Sequence, residues 1–255
     1  VTGSISSGST QTGKELVIEP GARPVRVRGL QTHNRPVAQV TRGQRAAINL
    51  SGVHHTEIGR GDELTVKHHL RPSRRFTARV QTVDSLARPL KNRSRVRVHV
   101  GTAELLGTLV LLEADELAAS ESGTCQLFLN GDALTVWNQP FVIRSESPIQ
   151  TVGGGHVLVP DGERLPRREP RTLKQLAALA CSDPVARAAA ALYFASSPDW
   201  HPEDLARTAG IGERAQTEQV VAALREEGTL IEVRLSPTRT LRFHQERLVQ
   251  LSHRL

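Results

Sequence analysis

Apolar residues recur at every second position in several short runs of this chain. In RVRVHV, Val96, Val98 and Val100 alternate with Arg95, Arg97 and His99, the pattern of a strand with one buried and one basic face. Val25 and Val27 alternate with Arg26 and Arg28 in the same way, which sends the valines to a core and points the arginines outward beside Arg23 and Arg35. Leu16-Val17-Ile18 and Ala46–Leu50 read as short buried strands, and Gly52 frees the backbone to turn. Thr56–Arg60 has room for at most one helical turn. With Gly8, Gly13, Pro20-Gly21 and Asn34-Arg35-Pro36 as punctuation, residues 1–66 predict a small β-barrel.

Residues 67–160 continue in the same mode. Arg75–Thr82, Arg95–Val100, Ala103–Leu112, Cys125–Leu129, Phe141–Arg144 and Thr151–Val159 are six strands with no helical stretch between them, which predicts a second, closed barrel. Residues 161–171, DGERLPRREPR, carry charge and proline without apolar periodicity and read as a linker.

From residue 172 to 255 the period becomes helical. Thr172-x-x-Gln175 offers a cap for a first helix, Asp183-Pro184 starts a second that runs to Phe194, Glu203–Thr208 supports a third, and Glu213–Glu227 a fourth that stops at Gly228. Ala209-Gly210-Ile211 supplies the turn of a helix-turn-helix. Leu230–Arg234 and Thr240–Phe243 form a hairpin around Ser236-Pro237, and a further helix begins at Gln245. This is the order of a winged helix. The predicted fold is therefore mainly β with a C-terminal α/β part: two β-barrels followed by one winged-helix domain.

Charge and composition narrow the function. At 255 residues with 38% apolar content the chain can fill several small cores, and no run approaches the ~18 apolar residues of a membrane span. The N-terminus carries no signal peptide, and two distant cysteines, Cys125 and Cys181, suit a reducing cytoplasm. The chain has no Met and opens on a strand-like Val1-Thr2-Gly3, which reads as a piece of something longer. A net charge of +7 points to an anionic partner, and its placement says more: Lys67–Arg97 holds ten Lys/Arg against Asp84, while Val98–Val142 holds six Asp/Glu and no Lys or Arg. Thr172–Leu255 is balanced, with ten of each sign, which favours a spacer over a nucleic-acid reader for the winged helix.

Several catalytic chemistries find no support. Gly8–Glu15, GSTQTGKE, approaches a phosphate loop, but Glu15 stands where a Ser/Thr must hold Mg²⁺ and a β-type run follows, so it reads as a turn between strands. Gly153-Gly154-Gly155 continues as strand and reads as a bend or close backbone approach. The ten histidines include the adjacent pairs His54-His55 and His68-His69, whose members would point apart on strands, so neither a metal site nor catalytic residues are expected.

Two sets of motifs carry a resemblance. Val37–Leu64, with Gly43-Gln44-Arg45, the Gly52-Val53 turn and Glu57-Ile58-Gly59-Arg60, resembles the second domain of translational GTPases of the elongation factor Tu superfamily. FTARV (Phe76–Val80), RPLKNRSRVRVHVGTAE (Arg88–Glu104), FVIRS (Phe141–Ser145) and TVGGGHVLVP (Thr151–Pro160) resemble the third domain of the SelB family, the selenocysteine-specific elongation factors. In that family several winged helices follow the third domain, in the order seen here.

The resemblance implies a fragment of a factor that brings selenocysteinyl-tRNA to the ribosome at recoded UGA codons with GTP, in the cytoplasm. It places Arg45 against the selenocysteinyl group and Glu57 and Arg60 at the tRNA 3′ end, with Gly59 replacing a usual acidic residue. It sets Lys91, Arg93, Arg95, Arg97 and His99 along the tRNA backbone. GTP and Mg²⁺ would belong to a G domain outside this chain, so no cofactor and no enzymatic activity are expected of the chain itself. The selenocysteine-insertion hairpin of the mRNA would be held by further C-terminal winged helices. Arg45 could instead pair with a carboxylate at the barrel rim. Two alternatives share part of the pattern: a general aminoacyl-tRNA elongation factor, which would end at the third domain, and a winged-helix regulator, which would need a basic recognition helix.

Overall fold

The computed structural model describes residues 1–237 and 239–252 and divides into two compact units, Val1–Arg71 and the chain from Pro72 onward. In the first unit the strands are β1 (Thr2–Ser4), β2 (Ser9–Gln11), β3 (Glu15–Glu19), β4 (Arg23–Thr32), β5 (Arg35–Val37), β6 (Gln39–Thr41), β7 (Arg45–Ser51) and β8 (Glu63–Thr65), with one 3₁₀ turn at His55–Glu57. They pair antiparallel in the order β1-β7-β4-β3-β8, with β5 folded onto β4 and β2–β6 forming a separate ribbon. The ladder is thus an open path flanked by a ribbon, because β1, β2 and β6 are only three residues long and end before they can close it. Val25 and Val27 are buried and Arg26 and Arg28 exposed, as the alternation requires. With Leu16, Ile18, Leu30, Val40, Ala46 and Ile48 they form the core.

The second unit opens with β9 (Pro72–Thr82), β10 (Leu90–Lys91), β11 (Ser94–Val100), β12 (Ala103–Leu111), β13 (Glu116–Leu117), β14 (Ser122–Leu134), β15 (Pro140–Ser145) and β16 (Thr151–Val159). Six of these close a barrel in the order β11-β12-β14-β9-β16-β15, while β10 and β13 pair separately. All six expected strands are present. The three glycines allow the closure: a Cβ on Gly155 would stand 1.9 Å from the Arg79 carbonyl oxygen, and one on Gly153 2.6 Å from that of Gln81. No side chain fits between those strands.

Four helices follow, α1 (Pro170–Leu179), α2 (Pro184–Tyr193), α3 (Asp204–Thr208) and α4 (Arg214–Glu226), then the hairpin β17 (Leu230–Ser236) and β18 (Arg239–His244), and α5 (Gln245–Ser252). Asp183 caps α2 as expected, accepting from the Val185 and Ala186 N–H groups. The first helix begins two residues before its expected cap. Glu169, not Thr172, accepts from the Arg171 and Thr172 N–H groups, and Pro170 takes the first helical position, where its missing N–H costs nothing. Thr172 is buried instead.

The expected linker is consequently shorter than residues 161–171, and it is bound to the barrel. Buried Gln126 donates to the Glu163 carbonyl (2.9 Å) and accepts from the Leu165 N–H (3.1 Å), and Arg75 donates to the Gly162 carbonyl (2.9 Å). Arg167 donates to the Leu111 carbonyl (2.7 Å) and pairs with Asp115 (2.7 Å), which Arg168 also holds. These two guanidiniums, Arg167 first, keep the Asp115 carboxyl below its usual range. The barrel lends Leu112, Leu158 and Val159 to the helical core. Trp137, in the β14–β15 loop, donates from Nε1 to the Leu179 carbonyl (2.9 Å) and from its backbone N–H to the Arg207 carbonyl (2.7 Å). Gly210, at φ +68, lies against the indole: a Cβ there would come within 2.6 Å of it. Among the described residues no helix is long and apolar enough to cross a membrane.

Candidate RNA interface

Arg45 is the first residue of β7, held in register opposite Ser4 of β1, and its side chain is exposed. Among the described residues it makes no side-chain hydrogen bond or ion pair, so the rim carboxylate that could have neutralised it is not there. β7 ends at Ser51 and leads into the loop that carries Glu57 and Arg60. Seven strand residues advance the chain roughly 20 Å, so Arg45 and the Glu57–Arg60 loop lie near opposite ends of one strand.

That loop is braced from within its own unit. Glu57 accepts the His54 N–H at 2.6 Å, and its carbonyl accepts from Arg23 at 2.6 Å. Arg23 also pairs with Asp62 at 3.2 Å, and Asp62 accepts the Gly59 N–H at 2.9 Å. The Glu57 carboxylate is thus partly committed to the loop, whereas Arg60 is exposed and has no side-chain partner among the described residues. Sequence reading placed Arg23 among the outward arginines but missed its pairing with Asp62, 39 residues away. His54 and His55 also depart from expectation: His55 opens the 3₁₀ turn and His54 is its N-cap, neither lies on a strand, and their rings are 4.4 Å apart. Among the described residues no His/Cys/Asp/Glu group could hold a metal ion.

A second feature was hidden on the same sheet. Glu63 of β8 stands directly opposite Glu19 of β3. Glu19 is buried and accepts the Ala22 N–H at 3.0 Å, and burial pushes the Glu63 carboxyl up to about 7.

On the barrel, Arg95, Arg97 and His99 project outward from β11 as the alternation requires, with Val96, Val98 and Val100 in the core. The face is less basic than its sequence. Arg97 pairs with Glu104 at 2.5 Å, His99 approaches the same carboxylate at 4.0 Å, and Arg95 pairs with Glu146 at 3.1 Å. Glu104 faces β11 across the tight β11–β12 turn, seven residues from Arg97, whereas Glu146 comes from the turn after β15, 51 residues from Arg95. The same pairing adds a cation that sequence reading missed: Arg144 of β15 stands opposite Arg97. The alternation in FVIRS, with Phe141 and Ile143 in the core, carried that signal. Arg97 Nε and Arg144 Nε are buried without an acceptor. Such donors cost about 1–3 kcal/mol each when unmet, and both atoms are closed to solvent. Lys91 and Arg93 lie off this strand. Lys91 is on β10 opposite Glu116, and Arg93 is a turn residue at φ 64.

The helical part presents cations that are largely answered. Arg225 of α4 and Arg242 of β18 both bind Glu232 (2.9 Å each) and, Arg225 first, hold its carboxyl below the usual range. Arg214 pairs with Glu218 at 2.8 Å and Arg239 with Asp199 at 3.8 Å. A helix whose cations are already paired offers little to phosphate.

Residues 75–164 match the family model described as "Selenocysteine-specific elongation factor, beta-barrel domain". A selenocysteine-specific elongation factor of Desulfomicrobium baculatum is 34% identical over 179 residues, 70% of this chain and 28% of the relative. One from Escherichia coli (strain K12) is 31% identical over 181 residues, 71% of this chain and again 28% of the relative. Elongation factor Tu 2 of Streptomyces avermitilis is 27% identical over 161 residues, 62% of this chain and 41% of its own length. The apo form of translation elongation factor SelB from Methanococcus maripaludis shares the fold with a TM-score of 0.57 at 22% identity, covering 65% of this chain and 39% of that one. The chain therefore spans about 28% of the length of the selenocysteine-specific relatives it matches.

Proposed function

From the premise that residues 75–164 are the β-barrel domain of a selenocysteine-specific elongation factor, we propose that this chain is the tRNA-holding and spacing part of such a factor. The intact protein would deliver selenocysteinyl-tRNA to the ribosome at recoded UGA codons, in the cytoplasm, with GTP and Mg²⁺ bound by a G domain outside this chain. The barrel match carries the reading, and the two selenocysteine-specific relatives, which match 70% and 71% of this chain, support it.

In this reading Arg45, at one end of β7, meets the selenocysteinyl group. Glu57 and Arg60, beyond its other end, address a separate part of the 3′ terminus. The outer face of β11 and β15 lies along the tRNA backbone, where Arg97 and Arg144 supply positive charge, with Arg95, His99, Lys91 and Arg93 around them. Residues 172–255 form a winged helix that spaces the domains reading the mRNA hairpin. The paired arginines of α4 and the hairpin favour that spacing role over direct RNA reading.

Arg45 supplies the test. A selenol is more acidic than a thiol, whose pKa is ~8.5, so it is largely an anion at neutral pH while a serine hydroxyl is not. A charge-assisted contact of about 1.5–3 kcal/mol from a guanidinium corresponds to roughly 10- to 150-fold selectivity. In the GTP-bound factor carrying this chain, Arg45→Ala should speed release of selenocysteinyl-tRNA far more than release of seryl-tRNA. An unchanged ratio of the two rates would remove Arg45 from the pocket.

A further inference from the structure

We propose that the cleft between the barrel and the helical domain is a second RNA site, one that takes a single phosphodiester strand. The cleft, of about 890 Å³, lies between the outer face of β9 and β16 and the turn joining α1 to α2. Its lining includes Arg79, His156 and Arg187 and no carboxylate. Arg79 and His156 are direct cross-strand partners, exposed on the outside of the barrel, while Ala78, Val80 and Val157 fill its core.

On the far side of the same barrel Glu104 and Glu146 neutralise Arg97 and Arg95. Neither the Arg79 nor the His156 side chain makes a hydrogen bond or ion pair among the described residues. Arg187 donates to the carbonyls of Cys181, Ser182 and Ala209, all neutral acceptors, and lies 4.8 Å from the Trp137 ring. Its charge is therefore also uncompensated. Two guanidiniums facing a concave site without a counter-ion concentrate anions there.

The shape narrows the anion. A volume in the range of roughly 300–1,000 Å³ holds a ligand of drug size. That is the size of one or two nucleotides of an unpaired strand. Part of the wall is the side-chain-free backbone of Gly154 and Gly155, flanked by the Gln81 and Asn138 amides. Cations with amide and hydroxyl donors are the groups that hold phosphate and sugar. An acidic peptide would carry similar charge, but the strands here belong to a closed barrel, with no free edge for a peptide to extend.

The assignment of RNA rests on the function proposed above; the preference of the cleft for an anion does not. Cys181, half-buried at the cleft, serves as a reporter in the whole chain, because Cys125 is fully buried with its thiol pushed up to about 12. The measurement is the rate of Cys181 alkylation by neutral iodoacetamide, with and without a mixed-sequence 12-nucleotide RNA. RNA should slow alkylation at least fivefold in wild type and in the Arg74→Gln control, and not in Arg79→Glu.

Arg79→Gln should lower the salt dependence of RNA binding by roughly 0.7 in log–log slope, the loss of one single-strand phosphate contact. Undiminished protection in Arg79→Glu, or none in wild type, overturns the site. Equal protection by inorganic phosphate reassigns it to a free anion, and equal protection by polyglutamate to a peptide; either refutes the RNA proposal. A tRNA that binds the chain while leaving Cys181 unprotected refutes the cleft and leaves the proposed function standing.

Discussion

Arg207 of α3 and Asp161, two residues beyond the last barrel strand, meet at 2.6 Å with the arginine only 2% exposed and the aspartate 18%. Asp204, 8% exposed, lies 3.6 Å from the same guanidinium. One buried cation thus answers two carboxylates, one from the helical part and one from the start of the connecting segment.

Replacing that cation should cost more than replacing either acid. Arg207→Met removes the guanidinium that Asp161 and Asp204 share, and breaking such a buried pair costs about 3–5 kcal/mol. Asp161→Asn leaves Arg207 its contact with Asp204 and should cost clearly less. Urea denaturation of the two variants checks the order. Limited proteolysis should show cleavage within residues 161–169 in Arg207→Met before it does so in wild type.

Gly155→Ala should be the most damaging glycine change in the barrel. The added methyl would lie 1.9 Å from the Arg79 carbonyl oxygen, a backbone atom that cannot swing away, against 2.7 Å from the Phe141 oxygen for Gly154→Ala. Overpacking typically costs about 1–3 kcal/mol, and Gly155→Ala should reach or exceed the top of that range. Thermal melts of the two variants should rank them in this order.

Glu63 should make the first unit less stable as pH rises. Burial lifts its carboxyl from 4.5 to about 7, opposite buried Glu19. Below pH 4.5 both the folded and unfolded forms are protonated and the contribution is complete. Between pH 4.5 and 7 the unfolded chain gives up a proton that the folded one retains, so stability falls and stays low above 7. The full shift corresponds to about 3 kcal/mol at most. Glu63→Gln should flatten this slope and stabilise the unit at pH 8, read by hydrogen exchange of the β3 and β8 amides.

GTP should find no site on this chain. The glycine-rich stretch Gly8–Glu15 is a strand, a turn with Gly13 at φ 88 and the start of β3, so no helix N-terminus follows it to receive phosphate. Calorimetry should give no saturable heat with micromolar GTP.

The local layer of this protein was legible in the chain itself. Short apolar runs located all six barrel strands, and alternation set Val96, Val98 and Val100 against Arg95, Arg97 and His99, because a strand's two faces are decided by consecutive residues. Asp183-Pro184 marked a helix start for the same reason: a cap acts within one turn. Even there a local rival could win, as Glu169-Pro170 displaced Thr172.

What lay beyond reach was whatever depends on strand register and on which surfaces meet. Glu146 beside Arg95, Glu63 opposite Glu19 and Asp62 beside Arg23 join residues that only the tertiary fold brings together. The charge-rich stretch after Val159 read as a free linker because its partners, Gln126, Arg75 and the Leu111 carbonyl, lie 37 to 87 residues away. Periodicity reports which side of an element faces inward; only the closed barrel and the helices packed against it decide what each outward charge finds there.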